Sequence, residues 1–157
     1  MKNRRPIRLN THDYSTTGDY FVTINVMNNK CCFGYISDGK MNFNQYGKIA
    51  SEQIKWLSDQ YSFVDINKYV IMPNHVHAII KINPSNNNIA PLSLSQIVGA
   101  YKTKVSAAIH KQGLLSFSWQ RSFHDHIIRT LQAYEYIAAY IETNPLNWEK
   151  DRFHIAI

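Results

Sequence analysis

Two histidines one residue apart, His75 and His77, stand in the segment Tyr69–Ile80, whose other members are almost all apolar. An extended strand sends residues two apart to the same face, about 7 Å apart at Cα. Two imidazoles so placed can converge on one divalent cation. The alternative is a pair of hydrogen-bonded core histidines, because buried polar rings cost free energy unless satisfied. A metal site would also need a third ligand and an open coordination position. A second pair, His124 and His126 around Asp125, obeys the same geometric rule. It could be the metal site, a supporting element or a solvated edge, and Asp125 could orient a ligand histidine. The flanks of His75 and His77 read as an interior strand, which favours the first pair.

A helix predicted from Thr130 to Asn144 carries the next candidates. Its apolar stripe is Tyr134, Ile137, Ala138 and Ile141. At about 100° per residue, Tyr140 lies roughly 110° from the centre of that stripe. It should face a cleft rather than the core. Asn144 follows one turn later on the same side. A phenol and a carboxamide along one helix edge are ordinary boundary residues on most helices. Laid beside the histidine strand, they would supply a nucleophile and an oxygen ligand.

The elements that must position these groups can be read from periodicity. A β-branched and aromatic run, Tyr20–Met27, predicts a strand, and Asn28–Lys30 a turn. A second strand is predicted from Cys31 to Ser37, a hairpin turn at Asp38-Gly39, and a short strand over Met41–Phe43. A helix follows from Gln45 to Gln60, with Ile49, Ile54 and Leu57 on one side. The runs Phe63–Met72 and Val76–Ile82 pair around Pro73-Asn74. The polar stretch 83–91 is a loop. Ser93 or Ser95 could cap a helix to Lys111, with Leu94, Ile97, Val98, Tyr101, Val105 and Ile109 as its core stripe, and Gly113 ends it. A strand over Ser122–Arg129 precedes the last helix, which Thr130 could cap and Pro145 limits. Strands, helix, strands, helix, strand, helix is the order of an α+β fold. An antiparallel sheet packed by helices in a ferredoxin-like arrangement is expected.

Composition narrows the partners. The chain has 157 residues, 45% hydrophobic and 18% charged, which suits one folded domain and excludes a disordered chain. No apolar stretch reaches the ~18 residues of a membrane span, and no signal-like run follows the basic start, so a cytoplasmic protein is expected. The adjacent Cys31 and Cys32 would point to opposite faces of a strand, which suits packing rather than a disulfide or a shared metal. The balance of 17 Lys+Arg against 11 Asp+Glu, net +6, suggests a polyanionic partner. A basic arm, residues 1–12 with Arg4 and Arg5, could lie on phosphates or be a solvated tail. Lys102 and Lys104 on the middle helix, with Arg121 and Arg129 around the second histidine pair, make a phosphate track plausible.

Three ordered segments resemble the single-tyrosine transposases with an HUH motif, enzymes acting on single-stranded DNA. Tyr69–Ile80 with Pro73-Asn74-His75-Val76-His77 looks like the HUH strand. Trp119–Arg129 is similar to the segment before their last helix, and Tyr140–Pro145 to their tyrosine helix. With Ile97–Lys104, the pattern is most similar to the branch associated with repetitive extragenic palindromes (REP), and it spans about Arg5 to Phe153. The resemblance implies a single nuclease domain over 1–157 with an RRM-like fold and a short tail from 146. It implies His75 and His77 as ligands of Mg²⁺ or Mn²⁺, Asn144 as the third ligand, and Tyr140 as the nucleophile. Some members carry glutamine at the Asn144 position. Asp125 and His126 match recurrent positions without an assigned role. The implied reaction is transesterification on hairpin-flanked single-stranded DNA through a 5′-phosphotyrosine, without a membrane. A monomer is expected, with a homodimer as the other arrangement in the family.

Other functions remain open on sequence grounds. A non-catalytic nucleic-acid module would explain the charge and aromatics but not the clustered histidines, Tyr140 and Asn144. A small-molecule metalloenzyme would need more acidic ligands and no basic surplus. A replication or conjugation nickase would share the chemistry, although such enzymes carry attached domains.

Overall fold

The structure, a computed structural model, describes residues 17–84 and 92–155. The basic arm with Arg4 and Arg5, and most of the predicted loop 83–91, lie outside the described residues. Chain order is β1 (Gly18–Asn25), β2 (Gly34–Ser37), β3 (Lys40–Phe43), α1 (Gln45–Gln60), β4 (Val64–Ile71), β5 (His75–Ile82), α2 (Leu94–Lys111), β6 (His124–Ile128) and α3 (Leu131–Thr143). Short 3-10 turns occupy Met27–Asn29 and Pro145–Lys150.

Four strands form one antiparallel sheet in the order β4-β5-β1-β6. β4 and β6 are edges, and β5 and β1 lie between them. This is the expected α+β, ferredoxin-like order: each outer strand is reached through a helix, and β4 turns directly into β5. β2 and β3 make a separate hairpin. Its Asp38-Gly39 turn has φ of 51° and 70°. Positive φ at both central residues twists a two-residue hairpin in the sense its strands need.

Strand alternation divides the sheet into two faces. Tyr20, Val22 and Ile24 of β1, with Val76, Ala78, Ile80 and Ile82 of β5, face α1 and α2 and form the main core. All six residues of the predicted α2 stripe are buried there. Ser93 caps α2 in a reciprocal capping box with Gln96, which satisfies two otherwise orphaned backbone donors. The opposite face is covered by α3 through Ile137 and Ile141, which pack on Ile79 and Ile128.

Some expectations shift. Cys31 and Cys32 precede β2, which starts only at Gly34, so strand alternation does not separate them; both are half-buried free thiols. Tyr134 and Ala138 are half-buried rather than core, because, among the described residues, no other α-helix packs beside α3 on this face of the sheet. Ile49 of α1 is likewise half-buried.

Candidate functional site

Pairing register builds the site floor. Cross-strand partners are His75 with Asn25, His77 with Thr23, and Ile79 with Phe21. On the far side of β1, Thr23 opposes His124 and Phe21 opposes His126. All these side chains emerge on the face that α3 covers. Among the described residues, the buried polar ones are Thr23, Asn25, Asn74, His75, His77 and Asn144. They gather in this one place, although burying polar groups is costly anywhere.

The two imidazoles converge. His75 Nε2 and His77 Nε2 are 3.1 Å apart. His75 Nδ1 lies 2.7 Å from Asn74 Oδ1, and His77 Nδ1 lies 2.8 Å from Thr23 Oγ1. The Asn74 amide donates to the carbonyls of Asn29 and Phe153, so its Oδ1 must accept from His75. That fixes hydrogen on Nδ1 and leaves the Nε2 lone pair facing His77. With hydrogen on its Nε2, His77 donates across this gap to His75; with hydrogen on its Nδ1, two lone pairs face each other, which a cation between them would relieve. Burial, the neighbouring His77 and the positive Arg152 hold the His75 imidazole well below its ordinary pKa, while the Asn144 carboxamide works the other way. Burial and Arg152 bring His77 down to about 3. Both rings are therefore neutral at physiological pH, the state that ligates metals.

Oxygen ligands complete the cluster. His75, His77 and Asp151 each bring a ligand atom within 4.8 Å of the others. Asp151 Oδ2 stands 3.7 Å from His75 Nε2. Asp151 Oδ2 and Asn144 Oδ1 are both buried without a hydrogen-bond partner. Such orphaned oxygens beside two imidazole nitrogens that have only each other as partners are the groups a divalent cation would satisfy, so the residues present fit Mg²⁺ or Mn²⁺. Burial raises the Asp151 carboxyl pKa, partly offset by Arg152 and His154. Asp151 was missed in the sequence because it sits in the charged run Glu149–Arg152, which reads as a solvated tail. The tail is instead part of the site: Phe153 packs 4.9 Å from the His75 ring, centroid to centroid.

Tyr140 projects from α3 into the same place. Its ring lies 5.4 Å from His77 and 6.1 Å from Phe21. It lines a cavity of about 360 Å³ with His77, His124, His126, Tyr136 and Arg152. Burial raises its phenol pKa, while Asn144 and Arg152 lower it. The chain thus brings His75, His77, Tyr140 and Asn144 together within one protomer. His124 and His126 form the far wall, separated from the first pair by β1, and Asp125 reaches the cavity rim.

The basic candidates are placed elsewhere. Lys102 and Lys104 sit on α2, which packs on the opposite face of the sheet. The Lys102 ammonium donates to the carbonyls of Gln120 and Ser122, and that of Lys104 lies 4.7 Å above the Trp56 ring. Arg121 is exposed in an open groove along α2. Arg129 is exposed beside Lys81 at the start of α3.

Comparison with known proteins adds the family. An uncharacterized protein of Haemophilus influenzae is 33% identical over 99% of this chain and 95% of its own length. A REP-associated tyrosine transposase, solved bound to a REP hairpin, superposes with a TM-score of 0.62 at 22% identity, over 94% of this chain and 74% of that one. A putative transposase from Deinococcus radiodurans gives a TM-score of 0.54 at 12% identity, over 86% and 96%. At these identities the two structures share the fold. The profile of the IS200-like transposases matches residues 41–144, a span running from β3 through both histidines to Tyr140 and Asn144. This chain belongs to the IS200-like transposases.

Proposed function

We propose that the protein nicks and rejoins single-stranded DNA flanked by stem-loops, through a covalent 5′-phosphotyrosine on Tyr140. The placement of the Tyr140 ring 5.4 Å from the ring of His77 carries this reading. His75, His77, Asn144 and Asp151 would hold a divalent cation, which when bound supplies positive charge beside the scissile phosphate. Tyr140 Oη forms a bond to phosphorus, and the bond from phosphorus to the 3′ oxygen breaks. The phenolic proton passes to water in the cleft, and the departing 3′ oxygen takes one up. One phosphodiester replaces another, so no nucleotide cofactor is needed. Attack by a second 3′-OH reverses the step and joins new ends.

In this reading one nucleotide of a flexible strand enters the cavity of about 360 Å³ beside Tyr140, which a duplex is too wide to do. Arg121, Arg129 and the arm with Arg4 and Arg5 are the phosphate contacts we assign to the stem, where they set position rather than sequence. The hairpin bound by the REP-associated relative supports a stem-loop substrate and membership of that branch.

The test is a denaturing gel after incubation with labelled single-stranded hairpin DNA and Mn²⁺. Wild-type protein is expected to give a covalent adduct that a chelator abolishes. Tyr140→Phe should give none while binding DNA within about threefold of wild type, since only one hydroxyl is lost. Tyr136→Phe, one turn earlier in the same cavity, should retain the adduct. An adduct on Tyr140→Phe that Tyr136→Phe lacks would move the nucleophile to Tyr136.

A further inference from the structure

Arg152 has no assigned role, and its setting is unusual. It lines the cavity together with His77 and Tyr140. Its guanidinium carbon lies 4.5 Å over the Phe153 ring. That ring is itself held, packed 4.9 Å from His75, while the Phe153 carbonyl accepts from Asn74 at 2.7 Å. Stacking on a fixed aromatic face orients the planar fork while leaving its N–H edges to donate. Among the described residues, no carboxylate lies within ion-pair distance of this guanidinium.

A guanidinium lining the same small cavity as a candidate cation site is repulsive towards that cation on its own. The arrangement becomes favourable when an anion lies between the two. A phosphodiester is such an anion, and in phosphoryl transfer the charge spreads over the equatorial oxygens that a planar fork can span.

We propose that Arg152 is a catalytic residue that grips a non-bridging oxygen of the scissile phosphate within the cavity it shares with His77 and Tyr140. The phosphate then sits beside Tyr140 Oη, with its charge neutralised from two directions while the new P–O bond forms and the old one breaks. Arg152 neither gives nor takes a proton in this exchange. The inference rests on the phosphotyrosine reading of the site.

The experiment is single-turnover adduct formation with full-length protein, Mn²⁺ and a labelled pool of hairpin oligonucleotides carrying randomised single-stranded flanks. At saturating DNA, Arg152→Ala is expected to slow adduct formation by about 100-fold or more, the usual loss for one oriented charge-stabilising donor. Its affinity for the pool should stay within about threefold. Arg152→Lys should recover only part of the rate, because an ammonium is a point charge without the fork. Lys150→Ala, which removes a neighbouring exposed cation, should react like wild type. Thermal midpoints of all variants, read in parallel, separate loss of chemistry from loss of fold, and Arg152→Lys keeps the test open should Arg152→Ala melt early. Adduct formation by Arg152→Ala at the wild-type rate would overturn the inference. So would a defect that vanishes at saturating DNA, or one that Lys150→Ala shares. If wild-type protein forms no adduct, the phosphotyrosine reading itself fails and takes this inference with it.

Discussion

Both amide hydrogens of Asn74 are used, one on the Asn29 carbonyl at 3.0 Å and one on the Phe153 carbonyl at 2.7 Å. The side-chain oxygen therefore has one role, to accept from His75 Nδ1. A single residue sets the tautomer of a candidate metal-binding histidine and ties the C-terminal segment to the sheet. Partners of this kind usually change metal affinity by about 10–100-fold when removed. Asn74→Ala is expected to weaken Mn²⁺ binding by that factor in calorimetric titration, and to lower the thermal midpoint because Phe153 loses its tether. Unchanged Mn²⁺ affinity would contradict this role. The neutral imidazoles also make a pH prediction for metal-free protein. His77 is held at about 3 when folded, against an ordinary value near 6.5. Between these values the unfolded chain binds the proton and the folded one does not, so stability rises with pH. Thermal midpoints measured in chelator should fall steadily as pH drops from about 6.5 to about 3. A flat profile across that window would mean the rings are not buried as described.

Helix α3 delivers Tyr140, and its own attachment is slight. Ile137 and Ile141 are its buried residues. Thr130 caps it by accepting from the Ala133 amide at 3.1 Å, and an exposed ion pair of Lys68 with Glu142 links it to β4. Exposed pairs contribute little, so apolar contact with Ile79 and Ile128 sets where the helix lies. Removing most of a buried isoleucine typically costs about 2–5 kcal/mol. Ile141→Ala should destabilise the protein by an amount in that range in denaturant titration. It should also slow adduct formation more than it weakens DNA binding, because the tyrosine loses its aim. Leu131→Ala, on a 73% exposed residue of the same helix, should change neither. Equal behaviour of the two variants would show that α3 is held by something other than this contact.

For the whole molecule, the question is whether one copy suffices. The imidazole pair, Asn144, Asp151 and Tyr140 meet within a single chain. A protomer that closes its own site needs no exchanged helix. Mixing Tyr140→Phe with His77→Ala protein, each inactive alone, is therefore expected to restore no adduct. Recovery of activity in the mixture would show that helices are shared between subunits, and hence a working dimer. Net charge +6 belongs to this scale too. It raises the local concentration of any nucleic acid, and its effect should be screened by salt, unlike contacts buried in the cleft.

Much of this was legible in the amino-acid order because the signals are local. α1 occupies the predicted span Gln45–Gln60, Thr130 caps the helix it was expected to cap, and of the two serines offered for α2 Ser93 is the cap, since side-chain oxygens reach only nearby amides. The histidine pair on one strand face and the Tyr140–Asn144 edge follow from strand and helix periods alone. Whether those two faces meet is a matter of sheet order and register, which no local pattern encodes. Asp151 and Arg152 lay further out of reach. A charged run after a proline has no periodicity, and in isolation it reads as solvent-facing. It becomes part of the site because the 3-10 turn Pro145–Lys150 carries it back, and because the Asn74 amide, on a distant strand connection, donates to the Phe153 carbonyl. Sequence by itself singled out His75, His77, Tyr140 and Asn144 as groups that could do chemistry. Tertiary structure decided that they converge, since convergence depends on contacts between residues far apart in the chain.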